Sequence, residues 1–323
     1  MNSNYKISVI LPVFNGGDFL KKSLGSVLTQ EFTGYEVIIC DDCSTDASLD
    51  YLEDMAKHFP DKIKLIKNDI NLGLFKTLNK LINESSANLI HLWAQDDVMK
   101  KNCLEETFLF HTQYPNLSLS YHGFSYIDEN DHIKIDEEID GTPDIISKSL
   151  YARISVTWGC IAGNIANVTL SKPFLLKSGF FNEHMLVSGD FDLWTRLASI
   201  ADIGFNRKKL MYLRAHDLQF SQNYNSIYNR IIEDIPIHHK LLSMLDKRDQ
   251  NRGRKIYAWK TQTSYFNDII FLFRKTDGKG LKRLIGLLSQ ETNIFLLLFR
   301  WFIIRFLRLI RVETLFYKKI MGK

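Results

Sequence analysis

Cysteine is scarce in this chain, with four thiols in 323 residues at Cys40, Cys43, Cys103 and Cys160. So few cysteines in so long a chain exclude a disulfide-built scaffold. Cys40 and Cys43 form a C-x-x-C pair, but no second Cys/His pair stands at ribbon or finger spacing. A structural zinc needs about four ligands. All four cysteines are therefore expected to be reduced thiols, two of them around a strand end. Proline numbers six, and there is no Pro/Gly/Ser-rich linker, low-complexity tract or repeat. That excludes a beaded or solenoid chain and leaves one large domain with an appendage, or two domains. A long apolar run near the start is also missing. The polar stretch Met1–Lys6 leads into a short apolar segment that ends at Pro12 and Asn15. Neither a signal peptide nor a spanning helix reads that way, so a cytoplasmic body is expected.

Net charge is low, +4, but unevenly placed. Leu281–Lys323 carries nine basic residues and two acidic ones, so the remainder is slightly acidic. Basicity confined to one end points to a local anionic partner such as a membrane surface. A nucleic-acid binder spreads basic and aromatic residues along its folded body, so no nucleic-acid partner is expected.

What the chain does have is alternation. Ile7–Val13 (ISVILPV) is β-branched and almost continuously apolar, the pattern of a strand buried on both faces. Asn15-Gly16-Gly17 then turns the chain, and Asp18 is positioned to cap a helix running to about Gln30. Glu36–Cys40 and Asn88–Trp93 read as further strands, and Lys62–Lys67 (KIKLIK) alternates like one. Helical spacing stands between them at Leu49, Leu52 and Met55, and again over Leu74–Ile82. Strands alternating with helices imply βαβ units and a mostly parallel α/β sheet. Ligands of such open sheets bind beyond the carboxyl ends of the strands. Tyr121–Gly179 carries no clear pattern. Phe191–Ile200 reads as a helix, and the chain becomes helical beyond Tyr224.

Acidic residues fall at those strand ends. Asp41-Asp42 follows the second strand, where a carboxylate can accept hydrogen bonds from a base or ribose, or can simply cap a helix. Asp96-Asp97 follows the fourth strand. Two carboxylates leaving a buried strand suit a hard divalent cation whose shell is completed by diphosphate oxygens. Asp190, in Ser188-Gly189-Asp190-Phe191-Asp192-Leu193-Trp194, precedes a helix and could be its cap or a general base.

Taken in order, these stretches resemble the family 2 inverting glycosyltransferases of the nucleotide-diphospho-sugar transferase (GT-A) fold. The resemblance covers about Lys6–Ser221. It rests on Ser8–Asn15, Asp41–Asp46, Asn71-Leu72-Gly73, Asp96-Asp97, Gly179–Glu183 and Gly189–Arg196. It implies a GT-A domain over 1–223 and a helical C-terminal region over 224–323. Pro12, Val13, Phe14 and Asn15 would line the nucleotide pocket, Asp41 and Asp42 would face the nucleoside, and Asp42 would bind a base, most commonly uracil or thymine. Asp96 would hold Mn²⁺ or Mg²⁺, with His216 near the diphosphate. Asp190 would be the acceptor-side base. Implied partners are a nucleotide-sugar donor and a saccharide or lipid-linked saccharide acceptor, in cell-surface polysaccharide synthesis. Two departures stand out. The first acid of the family's D-x-D motif is Ala94, and the acid that commonly precedes the base is Gly189. Other readings are a non-catalytic sugar-nucleotide binder on the same fold and a nucleotidyltransferase. The latter expects a basic loop after the first strand, and Phe14–Asp18 offers none before Lys21.

The segment Asn293–Val312 is apolar but holds Arg300, Arg305, Arg308 and Arg311. Each arginine at a bilayer centre costs about 2.5–3.5 kcal/mol, which argues against a span. On a helix the four arginines fall in one arc, with Phe295, Phe299, Phe302, Ile303, Phe306 and Ile310 opposite. The expectation is an amphipathic helix lying in an anionic interface with its arginines turned to water, on the inner face of the cell membrane.

Overall fold

A computed structural model describes residues 5–135, 141–162, 165–215, 224–273 and 278–321. The strands are β1 (Ile7–Val13), β2 (Tyr35–Asp41), β3 (Ile63–Lys67), β4 (Leu89–Leu92), β5 (Val98–Met99), β6 (Leu119–Ile127), β7 (Ile133–Ile135), β8 (Ile145–Ile146), β9 (Val168–Ser171) and β10 (Ile203–Arg214). The helices are α1 (Gly17–Leu28), α2 (Ser48–His58), α3 (Leu74–Glu84), α4 (Cys103–Gln113), α5 (Lys148–Trp158), α6 (Lys172–Ser178) and α7 (Gly189–Ala198). They continue with α8 (Tyr224–Met244), α9 (Lys247–Ile256), α10 (Gln262–Phe273), α11 (Gly278–Glu291), α12 (Ile294–Leu309) and α13 (Glu313–Met321). A π-helical turn, Tyr257–Thr261, joins α9 to α10.

One mixed sheet has the order β3-β2-β1-β4-β9-β6-β10-β5, with β7 on β6 and β8 on β10. β1 pairs parallel with both β2 and β4, and β2 pairs parallel with β3. The chain thus winds outward one way from β1 to β3, then returns to place β4 on the other side. That reversal opens a crevice beyond the carboxyl ends of β1 and β4. The continuous apolar run of β1 follows from double burial. Ile7, Val9, Leu11 and Val13 pack in one core cluster with Leu20, Leu24 and Val27 of α1, while Ile10 is buried outside that cluster. β9 runs antiparallel between β4 and β6, which is why the region after Tyr121 shows no βαβ rhythm. Asp18 lies in the first turn of α1 but is not its cap; Gly16 holds that position. Among the described residues no disulfide forms, and all four cysteines are thiols.

The chain divides into two compact units. The first comprises Met1–Ser147, Ala162–Glu183 and Arg196–Gln219, and contains the whole sheet. The second comprises Lys148–Ile161, His184–Thr195 and Phe220–Lys323. Two short segments that chain order places within the first 223 residues therefore group with the C-terminal helices. The helical unit has its own core: Ile231 and Ile235 of α8, Tyr265, Ile269 and Leu272 of α10, Leu284 and Leu288 of α11, and Leu297 of α12. These recur three or four residues apart, one face of each helix.

α12 divides its arginines from its phenylalanines. Leu297 and Ile304 are its buried residues, and they share the arc of the arginines. Arg300 donates to Gln262 and lies over the Trp259 ring, Arg305 lies over Trp301, and Arg308 pairs with Glu313. The arginine arc thus packs on the helical unit through Leu297 and Ile304, while Arg305 and Arg308 remain exposed to water. The opposite face is bare, with Phe295 77%, Phe299 58%, Phe302 63%, Phe306 59% and Leu309 80% exposed. Among the described residues no helix is long and apolar enough to cross a membrane.

Candidate active site

At the carboxyl ends of β1, β2 and β4 three loops are tied to one another by the expected motif residues. The Asn15 N–H donates to Ser44 Oγ at 3.0 Å, and the Thr45 N–H donates back to Asn15 Oδ1 at 2.8 Å. Gly16 N–H donates to Ser48 Oγ and Gly17 N–H to Asp46 Oδ2. The crossing needs a left-handed turn, which Asn15 makes at φ 50° and Gly17 at φ 55°. Asn is the side-chain-bearing residue that tolerates this region best. From the β4 loop, Gln95 grips Phe14 at both backbone groups, accepting its N–H at 2.9 Å and donating to its C=O at 3.1 Å. Phe14 itself remains 43% exposed, an apolar ring at the mouth of the crevice.

The two acids after β2 do different work. Asp42 is buried and its carboxylate accepts three hydrogen bonds: Oδ1 from Asn68 Nδ2 at 2.7 Å and from the Leu72 N–H at 2.8 Å, Oδ2 from the Gly73 N–H at 2.9 Å. This explains the Asn71-Leu72-Gly73 motif, a loop folded over one carboxylate. Asp41 accepts the Ser44 N–H at Oδ2, while its buried Oδ1 has no hydrogen-bond partner among the described residues. A buried carboxylate oxygen without a donor is costly and is the kind of atom a ligand satisfies.

The acids after β4 are also unequal. Asp97 is buried and accepts the Arg214 N–H at 2.9 Å. Burial, and then the neighbouring Asp96, push its carboxyl well above the usual carboxylate range. Arg214, fully buried at the end of β10, donates through Nε to the Asp96 C=O at 2.8 Å and through a guanidinium nitrogen to the Asp128 C=O, and pairs with Asp131 at 2.6 Å. Its guanidinium also lies 4.6 Å from the Phe19 ring centre. The pair at Asp96-Asp97 is therefore braced from behind by an arginine that holds the backbone. Such a hard-oxygen donor set fits a divalent cation of the Mg²⁺ or Mn²⁺ type.

Gln95, Arg214 and Asn68 play parts that sequence reasoning missed. A buried arginine was legible only as one letter in a run of strand residues. His216, expected near the diphosphate, lies outside the described residues.

Asp190 belongs to the helical unit. It stands in the first turn of α7, its Oδ1 accepting the Phe191 N–H at 2.7 Å. It keeps some solvent contact but is crowded by protein, and this desolvation pushes its carboxyl up to about 6, with the nearby Asp234 and Glu233 charges adding to the effect. A carboxylate poised near neutrality suits proton abstraction better than an ordinary one. The same unit contains a cavity of about 390 Å³ whose lining includes Trp158, Arg230, Asp234, Lys260, Asn267 and Arg305.

Among the described residues one further cluster has ligand-type atoms together: His91, Cys103 and His122, within 4.8 Å of one another. It lies in the packed layer beneath the sheet. His122 Nδ1 faces the Gly123 C=O, His91 Nδ1 bonds Thr169, and Cys103 Sγ is 3.6 Å from His122 Nε2. The two imidazole planes are stacked, 14° apart. Burial pushes the thiol up to about 12 and the His122 imidazole down to about 4. The trio is a neutral polar core.

A sequence model of glycosyl transferase family 2 matches residues 8–168. The chain is 25% identical over 277 residues to the uncharacterized glycosyltransferase RT0329 of Rickettsia typhi, covering 83% of this chain and 80% of that one. Over 158 residues it is 30% identical to TuaG of Bacillus subtilis, a glycosyltransferase assigned to teichuronic acid biosynthesis. That match covers 48% of this chain and 57% of TuaG. Staphylococcus aureus TarS (residues 1–349), in complex with UDP-GlcNAc, superposes with a TM-score of 0.58 at 18% identity, covering 82% of this chain and 79% of that one. The mannosyltransferase PcManGT of Pyrobaculum calidifontis, in complex with GDP-Man and Mn²⁺, gives 0.55 at 12% identity, covering 90% and 81%. The two solved structures share the GT-A fold. The chain belongs to glycosyltransferase family 2.

Proposed function

We propose that this glycosyltransferase moves a sugar from a nucleotide-diphosphate donor to an acceptor hydroxyl with inversion, assisted by Mn²⁺ or Mg²⁺, in cell-surface polysaccharide synthesis. The observation that carries the reading is the knot at the ends of β1, β2 and β4, where Asn15, Ser44, Thr45 and Gln95 fix three loops around Asp41, Asp42 and Asp96. The nucleotide-sugar complexes of TarS and PcManGT support a donor of this class, and TuaG supports the polysaccharide setting. Pro12, Val13, Phe14 and Asn15 line the nucleotide pocket. Asp41, with its open Oδ1, meets the nucleoside, and Asp42 holds the adjoining loop in shape while facing the base. Asp96 holds the cation, with His216 as a further candidate, and Asp97 and Arg214 hold Asp96 in place. The cation, when bound, stabilises negative charge on the departing diphosphate. Asp190 takes the acceptor proton as the hydroxyl attacks the opposite face of the sugar.

The bare aromatic face of α12, joined to a strongly basic C-terminal segment, suits an anionic membrane surface on the cytoplasmic side, close to a lipid-linked acceptor. Insertion would bury the phenylalanines while the arginines, tied to the protein, stay at headgroup level.

Turnover against a panel of UDP-, dTDP- and GDP-sugars, with Mn²⁺ and then with EDTA, tests the reading. Metal-dependent release of the nucleotide from one donor, lost in Asp96→Asn, is expected. Tight donor binding with no turnover under any condition would point to a non-catalytic binding protein.

A further inference from the structure

The sequence motif around Asp190 ends at the helix it opens, yet the loop that leads into it is held from elsewhere. Leu186, Val187 and Ser188 present three consecutive backbone N–H groups, and all three donate to one carboxylate, Glu233 of α8. The distances are 2.8 Å from Leu186 to Oε1, and 3.0 and 2.7 Å from Val187 and Ser188 to Oε2. The next residue of α8 completes the hold, Asp234 Oδ1 accepting the Ser188 hydroxyl at 2.6 Å. Successive N–H groups curled around an anion form a nest, usually occupied by a ligand phosphate or carboxylate. Here a side chain of the protein fills it. Glu233 and Ser188 are both buried, so these are charge-assisted bonds away from water. Ser188 also accepts the Asp192 N–H at 2.9 Å, so the held residue is the one from which α7 starts. A further contact braces the same place. His238, one turn further along α8, stands edge-on to Phe191 with ring centres 5.9 Å apart.

We infer that Glu233, with Asp234, is a positioning residue for the Asp190 carboxylate, so that the C-terminal helical region is part of the catalytic machinery rather than an appendage. The inference rests on the reading of Asp190 as the acceptor-side base. The physical reason is reach. Asp190 follows Ser188 by two residues in the first turn of a helix, so the place of Ser188 fixes the start of α7 and with it the base. General-base transfer needs the proton within about 3 Å, and a misplacement of about 1 Å costs on the order of a hundredfold. Gln in place of Glu233 keeps the size and one acceptor oxygen, which can stay on Val187 and Ser188, but turns its NH₂ group toward the Leu186 N–H donor.

The test compares Glu233→Gln and the milder Ser188→Ala with the full-length protein. It uses amide hydrogen exchange of the 184–192 peptide, donor affinity measured with the nucleotide sugar that supports turnover, and kcat against pH. Expected for Glu233→Gln are faster exchange at 186–188, a kcat lowered about ten- to a hundredfold, donor Kd within about twofold, and an acid limb of the pH profile moved to lower pH as one negative charge near Asp190 is removed. Ser188→Ala, which keeps the three N–H bonds, should show a smaller kcat loss and keep the acid limb in place. It serves alone if Glu233→Gln does not fold, an undiminished kcat then overturning the inference. Faster exchange with unchanged kcat and pH profile would also overturn it while leaving Asp190 as the base. Full turnover in Asp190→Asn would overturn both.

Discussion

Asp42→Asn separates the two things an acid at a strand end can do. In this structure the Asp42 carboxylate accepts three hydrogen bonds, two from backbone N–H groups of the 71–73 loop and one from Asn68. An asparagine can keep its oxygen toward Leu72 and Asn68, but its NH₂ must then meet the Gly73 N–H. One buried donor loses its acceptor and two donors are placed face to face. Loss of one charge-assisted bond and stranding of its partner cost about 2–3 kcal/mol. At about 2–4 °C per kcal/mol for a domain of this size, the thermal midpoint should fall by roughly 4–12 °C. Asp41→Asn should behave differently. Its Oδ1 has no partner to lose, so the midpoint should hold or rise slightly, while donor affinity falls. Differential scanning fluorimetry with and without the donor reads both quantities. If Asp42→Asn left the midpoint unchanged and abolished donor binding, the carboxylate would be serving the base alone, and the loop-holding argument would be wrong.

Other expectations concern the base, the loop after β4 and the helix surface. Because Asp190 must be ionised to accept a proton and its carboxyl is pushed up to about 6, kcat should fall about tenfold per pH unit below that point; an acid limb near 4 would place the base elsewhere. Gln95→Ala removes both bonds to the Phe14 backbone and should weaken donor affinity about tenfold with little change in the thermal midpoint, as seen by isothermal titration calorimetry. Phe299→Glu with Phe306→Glu changes two exposed rings and should leave the fold intact, yet it should cost on the order of 3 kcal/mol in partitioning to anionic vesicles, over a hundredfold in a sedimentation assay. Unchanged vesicle binding, or dimers dissociated by the pair, would identify another occupant for that face.

β1, β2 and β4 were legible because double burial writes itself as a nearly continuous apolar run, β3 because it alternates, and the acidic residues because they follow the buried runs directly. β9 and β10 were not. β9 is a four-residue strand inserted antiparallel, and β10 carries Asn206, Arg207, Lys208 and Lys209 through a bulged stretch of its pairing with β6, so neither has a clean period. Side-chain-to-backbone bonds such as those of Gln95, Asp42 and Glu233 leave no periodic trace at all. They link residues 30 to 81 positions apart, and only the fold reveals them. On α12 the sequence divided arginines from phenylalanines correctly but did not show which side the body of the protein takes. Leu297 and Ile304, lying among the arginines, decide that.

The Asp190→Asn protein, given the donor that supports turnover, Mn²⁺ and an acceptor, tests the central claim most directly. An amide of the same size cannot take the acceptor proton, so turnover should fall by about a hundredfold or more while donor Kd stays within about twofold. Undiminished turnover, or a donor affinity that collapses in step with it, would contradict the account.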